Sequence, residues 1–152
     1  PNVQMAITTD VGHPTNVHPA RKQPVGERLA RLALAGVYEQ EVVASGPLLK
    51  HWSGAGAEAT IEFAHVGKGL GTLDGQTPRG FQVAGNDGIF RKARAEIVAA
   101  ENGSRDSIRL TCDDCRSIQH LRYGWMPYPD PPLNLVNSEL LPASPFTTES
   151  IE

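Results

Sequence analysis

Asp10, His13, Asn16, His18, Arg21 and Lys22 crowd one short polar stretch near the start of the chain. Imidazole is the side chain that exchanges a proton near neutral pH, so a histidine beside amides, acids and cations can serve as general acid and base. The elements on either side suit that role. Val3, Met5 and Ile7 alternate with Gln4, Ala6 and Thr8, which predicts a short strand. After the Pro-rich loop from Asp10 to Gln23, Pro24 sits where a first helical turn tolerates it. Leu29, Leu32, Ala33, Gly36 and Val37 then recur at helical spacing up to about Gln40. Loops between a strand end and a helix start are where α/β enzymes put functional groups, because the strand is rigid and the loop accessible. Taken alone, a His-Pro in a loop reads as a solvated or structural residue. One strand and one helix cannot close a core, so this segment has to pack on the downstream region or on a sheet carried by other sequence.

From about Val42 the pattern turns to β, beginning with a turn at Ser45-Gly46-Pro47. Ile61 and Phe63 alternate with Thr60 and Glu62. Phe81 and Val83 lie in a second run, Ala95, Ile97 and Ala99 in a third, Ile108 and Leu110 in a fourth, and Ile118 to Trp125 in a fifth. Turn residues separate them at Gly67 to Gly71, Asp74-Gly75, Asn86-Asp87-Gly88 and Glu101 to Ser104. With 15 Gly and 12 Pro in 152 residues, the expectation is a mainly β chain, a β-sandwich of about six to eight short strands. The tail from Met126 to Glu152 is expected to lie extended over the surface, pinned by Leu133, Leu135 and Phe146.

Composition removes several function classes. The net charge of −3 offers no field for a phosphate backbone, so nucleic acid is not an expected partner. No apolar run approaches the roughly 18 residues a membrane-spanning helix needs. Cys112 and Cys115 form a lone C-x-x-C with no second ligand pair, which points to a disulfide or two inert thiols and not to zinc. Gly67-Lys68-Gly69-Leu70-Gly71 lacks the Lys-Ser/Thr ending of a phosphate loop and reads as a turn. His51, His65 and His120 read as surface or cross-strand residues. Trp52, Tyr123 and Trp125 are candidates for a sugar-stacking platform, with core or rim roles as the plainer reading. Asn102-Gly103-Ser104 is formally a glycosylation sequon that a hairpin turn explains, and Arg21, Lys22 and Arg28 read as a solvated helix start. A chain that begins at Pro1 without a signal peptide is expected to be a processed product or an excised piece.

The run Asn16-Val17-His18-Pro19-Ala20-Arg21-Lys22-Gln23-Pro24-Val25-Gly26-Glu27-Arg28-Leu29-Ala30 closely resembles the last catalytic block of the sialate O-acetylesterases. In these SGNH-type carbohydrate esterases an I/V-H-P-x-x-K-Q-x-V-G-x-R-L-A run leads into the final helix of the hydrolase domain. Ser45 to Leu48, Phe63 to Leu70, Gly80 to Gly85, Tyr123-Gly124-Trp125 and Leu141 to Phe146 look like further family segments, so the resemblance spans essentially the whole chain.

The resemblance implies that residues 1–41 are the last strand, histidine loop and last helix of an α/β hydrolase domain, and residues 42–152 a β-sandwich attached to it. It implies acyl transfer with His18 activating a serine, no cofactor, and an extracellular or periplasmic setting. The substrate would be an acetylated sugar, either a sialic acid or xylan and related glycans. The partner would be an upstream segment or companion chain bearing the serine, because the family's Gly-Gln-Ser-Asn type motif does not occur here. The chain by itself is therefore expected to be inactive. Many relatives carry Asp where this sequence has Asn16, and the broader pattern would put the acid at Thr15. The group orienting His18 is then Asn16 or a backbone carbonyl, with Asp10 as the alternative. The rival reading is a non-catalytic carbohydrate-binding or scaffold module, distinguished by whether a Gly-Gln-Ser-Asn motif lies upstream.

Overall fold

A computed structural model of the chain describes residues 3–99 and 103–150. Among them the elements run α1 (Gln23–Gly36), β1 (Leu48–Ala55), β2 (Glu58–Ala64), β3 (Gly71–Thr72), β4 (Phe81–Ala84), β5 (Arg91–Lys92), β6 (Arg94–Val98), β7 (Ser107–Thr111), β8 (His120–Tyr123), β9 (Leu135–Val136) and β10 (Phe146–Thr147). The strands build two antiparallel four-stranded sheets, ordered β1-β2-β7-β6 and β10-β8-β4-β5, and a small β3-β9 pair. The expected mainly β architecture is the one observed.

Alternation explains why the sheets face each other. In β2 the side chains of Ala59, Ile61 and Phe63 are buried while Glu58 and Thr60 face solvent. Register then lines up rows across the first sheet: Ala59 and Ala95 flank Leu110, and Ile61 and Ile97 flank Ile108. In the second sheet Phe146, Tyr123 and Phe81 form one row and Val83 pairs with Leu121. The Phe81 and Tyr123 rings lie 4.7 Å apart and those of Tyr123 and Phe146 6.0 Å apart. Phe63 of the first sheet meets Phe146 edge-on at 6.2 Å. Tilted and edge-on contacts of this kind add to area burial, and they join the two sheets into one core.

β1 was not legible as a strand, because it is an edge strand with a register shift between Leu49 and His51 and only Leu49 and Trp52 pack against the core. Ser45-Gly46-Pro47 leads into it. Gly46 is required there, since a Cβ would collide with the Pro142 carbonyl. Gly80 is held at φ +91° against Leu133, a conformation and a space that exclude a side chain. Glu101 and Asn102, half of the expected turn and sequon, lie outside the described residues.

The tail departs from expectation. It is not draped over the surface: Leu133 to Asn137 and Leu141 to Ala143 are buried, and the tail supplies β9 and β10. Two asparagines make this possible by satisfying backbone that no ladder reaches. Asn137 Nδ2 donates to the carbonyls of Ser45 (3.0 Å) and His65 (2.9 Å), and its Oδ1 accepts from the amides of Glu139 and Leu141 (both 3.0 Å). Asn134 Oδ1 accepts from the Arg79 amide at 3.0 Å, while its Nδ2 donates to Asp74 at 2.8 Å and to the Thr77 carbonyl at 3.0 Å. The bond from Asn134, together with that from Arg79, holds the Asp74 carboxyl down to about 2.

The first segment departs as well. Residues 3–8 form no strand, because among the described residues no neighbouring strand offers them a ladder. The helix ends at Gly36 and not near Gln40. Glu39 takes φ 52° and the Gln40 amide reaches back to the Leu34 carbonyl at 2.9 Å, a wrap that closes the last turn. Its apolar stripe is only partly covered, for Leu32 and Leu34 are half-buried, Leu29 is 53% exposed and the buried helix residue is Arg28.

Two outcomes are expected. Removing residues 1–41 leaves a cooperative melt with a β-type circular dichroism spectrum, since no residue of that segment belongs to the main core cluster. Asn137→Ala lowers urea-unfolding stability by about 3 kcal/mol, because the buried amide's four bonds, which tie three stretches of backbone together, are lost at once. A midpoint unchanged by Asn137→Ala would remove the amide from the account of the tail.

Candidate functional site: the His18 loop

The loop between Thr9 and Lys22 is clamped at its base and open at its tip. Arg28, one turn into α1, reaches back under the loop. Its Nη1 and Nη2 donate to the two carboxylate oxygens of Asp10 at 2.6 and 2.7 Å, and Nη1 also donates to the Ile7 carbonyl at 2.8 Å. Both side chains are about nine-tenths buried, at 10% and 12% exposure. A bidentate pair fixes direction as well as distance, so helix, loop base and the extended stretch before it are locked together. Val11 beside it is buried and its amide bonds the Thr8 carbonyl at 3.2 Å. Arg31, on the same side of the helix, donates to the Val43 carbonyl at 3.1 Å and ties α1 to the chain leading into β1.

Above this base the loop is organised by short side-chain turns. Asn16 Oδ1 accepts the His18 amide at 2.8 Å, and His13 Nδ1 accepts the Thr15 amide at 3.2 Å. His18 itself is exposed. Among the described residues no bond joins its ring to another side chain, so the imidazole stands free on a shaped backbone.

The expected site residues are thus distributed as follows. Asn16 and His18 are brought together, with the amide oxygen on the backbone of His18 and not on its ring. Asp10 is occupied in both oxygens by Arg28, which leaves it as the anchor of the loop. Arg21 donates to the Asp10 carbonyl at 3.4 Å, and Lys22 caps the helix by position without a side-chain bond. Arg28, read from the sequence as part of a solvated helix start, is instead the buried centre of the segment. The signal for it was the helical period, which puts position 28 on the inward side with Val25 and Leu32.

The other singled-out residues do not join this loop. His51 and His65 are exposed and His120 half-buried in the sandwich. Tyr123 is buried in the core, where desolvation pushes its hydroxyl up. Trp52 packs on the core and Trp125 is exposed, so the three aromatics do not form one platform. The Cys112 and Cys115 sulfurs are 2.6 Å apart and buried, and burial with the neighbouring thiol raises Cys115 to about 11. No helix among the described residues is long and apolar enough to cross a membrane.

No protein-family model and no curated protein matches the sequence. Among solved structures, a carbohydrate acetylesterase from Xanthomonas citri superposes with a TM-score of 0.87 and 36% sequence identity over 96% of this chain. The chain spans about a third of that enzyme's length, 32%. Identity at this level over nearly the whole chain relates it in sequence and fold to a carbohydrate esterase.

The clamp makes a local prediction. Arg28→Met leaves the largely buried Asp10 carboxylate unpaired, which frees the loop without touching the sandwich core. Trypsin should then cut at Arg21 and Lys22 at least about tenfold faster, with the β melt shifted little. Arg28→Lys should fall between, since an ammonium cannot repeat the fork. Equal cutting rates in all three proteins would mean that the loop is not held by this pair.

Proposed function

We propose that this chain is the histidine-bearing part of a carbohydrate O-acetylesterase, and that His18 works on a serine carried by a preceding segment or companion chain. The observation that carries the reading is the 36% identity to a solved carbohydrate acetylesterase over 96% of the chain. Two local features support it. The His18 ring stands free at the tip of a loop whose base is clamped, as a group that must meet a partner from outside requires. The first segment also leaves apolar surface uncovered at Val3, Met5, Val17, Leu29, Val37 and Tyr38, and its extended stretch finds no ladder among the described residues. That is the surface expected of an element whose sheet neighbours belong to another part of the enzyme.

In this reading the serine hydroxyl adds to the acetyl carbonyl while His18 accepts its proton. Collapse of the tetrahedral adduct breaks the ester bond, and the imidazolium returns the proton to the departing sugar oxygen. Water then adds to the acetyl-serine with His18 again as base, and acetate leaves. Asn16 acts as a positioning residue: its amide oxygen fixes the His18 backbone and so the direction of the ring. Asp10 contributes through Arg28, by holding the loop base. The substrate is an acetylated glycan, with O-acetylated sialic acid and acetylated xylan as the two classes the resemblance implies. The setting is the periplasm or the cell exterior.

The test is kinetic. The 152-residue chain alone should hydrolyse p-nitrophenyl acetate no faster than free imidazole, because it holds no Gly-Gln-Ser motif. In the complete enzyme, His18→Ala should lower turnover by about 10⁴-fold or more on an O-acetylated sugar. Asn16→Ala should cost about 10- to 100-fold, and Asn16→Asp should retain or raise activity. Wild-type turnover in His18→Ala would remove the assignment.

A further inference from the structure

A groove of about 680 Å³ opens on the sandwich, with no residue of the His18 loop or of α1 among its lining. It lies where the chain leaves one sheet and enters the other. β5 is the edge of the second sheet and β6 the edge of the first, and Ala93 links them with its amide bonded to the Phe81 carbonyl at 3.2 Å. The floor is apolar, made by buried Phe81, Ala95 and Leu133, and Pro78, Pro129 and Pro131 stiffen its sides. The rim is charged. Arg79, Lys92, Arg94 and Arg109 face Glu96 and Asp130, an excess of cations in a chain whose net charge is −3.

The cations are not equally committed. Arg79 is held by Asp74 at 2.7 Å and Arg109 meets Glu96 at 3.5 Å. Arg94 donates both Nη groups to Asp113 at 2.8 and 2.9 Å and its Nε to Thr111 at 3.3 Å, but both ion-pair side chains are more than 70% exposed, so water and an incoming carboxylate compete with the pair. Lys92 has no ion-pair partner among the described residues.

We infer that this groove binds a carboxylate-bearing oligosaccharide, its sugar rings lying on the apolar floor and its carboxylates meeting Lys92 and Arg94. A volume of this size falls within the range of ligand sites, and an apolar base with a few placed charges is their usual make-up. The flat C–H faces of pyranose rings suit Phe81, Leu133 and the prolines, while a neutral sugar would leave the cationic rim unused. Addition of a peptide strand is opposed by the edges themselves, since β5 has two residues and β6 turns Arg94 and Glu96 outward. The choice of a glycan over another polycarboxylate rests on the acetylesterase reading, whereas the binding itself needs no catalysis.

The experiment titrates the 152-residue chain with tetragalacturonate, with neutral xylotetraose and with an acidic tetrapeptide, following backbone amide shifts at low and high salt. Tetragalacturonate should give saturable shifts centred on Arg79, Lys92 to Glu96 and Arg109. Affinity should weaken at least about tenfold at high salt and in Lys92→Glu. Lys92→Met keeps the stem and removes the charge, so it should weaken binding even if Lys92→Glu unfolds. Xylotetraose and the peptide should bind at least about tenfold more weakly. Equal binding of either one, shifts elsewhere on the surface, or no shift at millimolar tetragalacturonate would overturn the assignment. Groove binding together with wild-type turnover in His18→Ala would leave this site standing and remove the esterase reading, so the two fail separately.

Discussion

Most of this architecture hangs on one buried amide. Asn137 sits at the end of the tail's buried run and bonds backbone from three separate stretches: Ser45 before β1, His65 after β2, and Glu139 and Leu141 in its own turn. None of those four backbone groups lies in a strand of the sheets. An amide side chain can offer two donors and two acceptor lone pairs, and here both ends are used. The consequence is that a tail rich in proline, which cannot join a regular sheet, still enters the core. Leu133 and Leu135 then join the main core cluster, and Val136 is buried as well.

The histidine segment is attached by different means. Within it Arg28 fastens the helix to Asp10 and Ile7, and the bond from Arg31 to the Val43 carbonyl ties the helix to the chain leading into β1. Leu32 and Leu34 are half-buried, while Leu29 and Val37 stay exposed. A helix held by a guanidinium fork keeps its orientation while Leu29 stays open to solvent. Had the helix used Leu29 to dock on the sandwich, that position would be closed.

What was legible in the sequence follows the same division. The strands with clean alternation, around Ile61, Val83, Ala95 and Ile108, were readable because period 2 reports a surface with one dry face. β1 escaped because its register shift breaks the period. The tail escaped because Leu133-Asn134-Leu135-Val136-Asn137 owes its burial to side-chain bonds with residues 45 and 65, and long-range satisfaction leaves no local pattern. The strand expected at residues 3–8 has the right alternation but no ladder within the described residues, since pairing is a property of two segments and the sequence displays one. In the loop, the proximity of Asn16 to His18 was readable from spacing. The removal of Asp10 by Arg28 was not, because an arginine on a helix reads as solvated until something shows what it reaches.

Charge placement connects the two regions. A chain with a net charge of −3 has no general attraction for anions, so any anionic ligand must be drawn by a local field. Two places with neighbouring cations are built on backbone that is held for an independent reason: Arg21 and Lys22 beside a loop clamped by Arg28, and Lys92 and Arg94 at the end of β5 and the start of β6, where Ala93 carries the chain from one sheet to the other. Rigid support matters because a flexible cation loses in ordering much of what it gains in contact. The apolar floor under Lys92 and Arg94 adds a further step, since lowered dielectric near Phe81 and Leu133 strengthens the same charges for a ligand that also covers the floor. The polar His18 loop has no such floor, and Arg21 and Lys22 at its end stay exposed. An anion over β5 and β6 would thus meet cations and an apolar surface together, whereas one at the loop would meet cations alone.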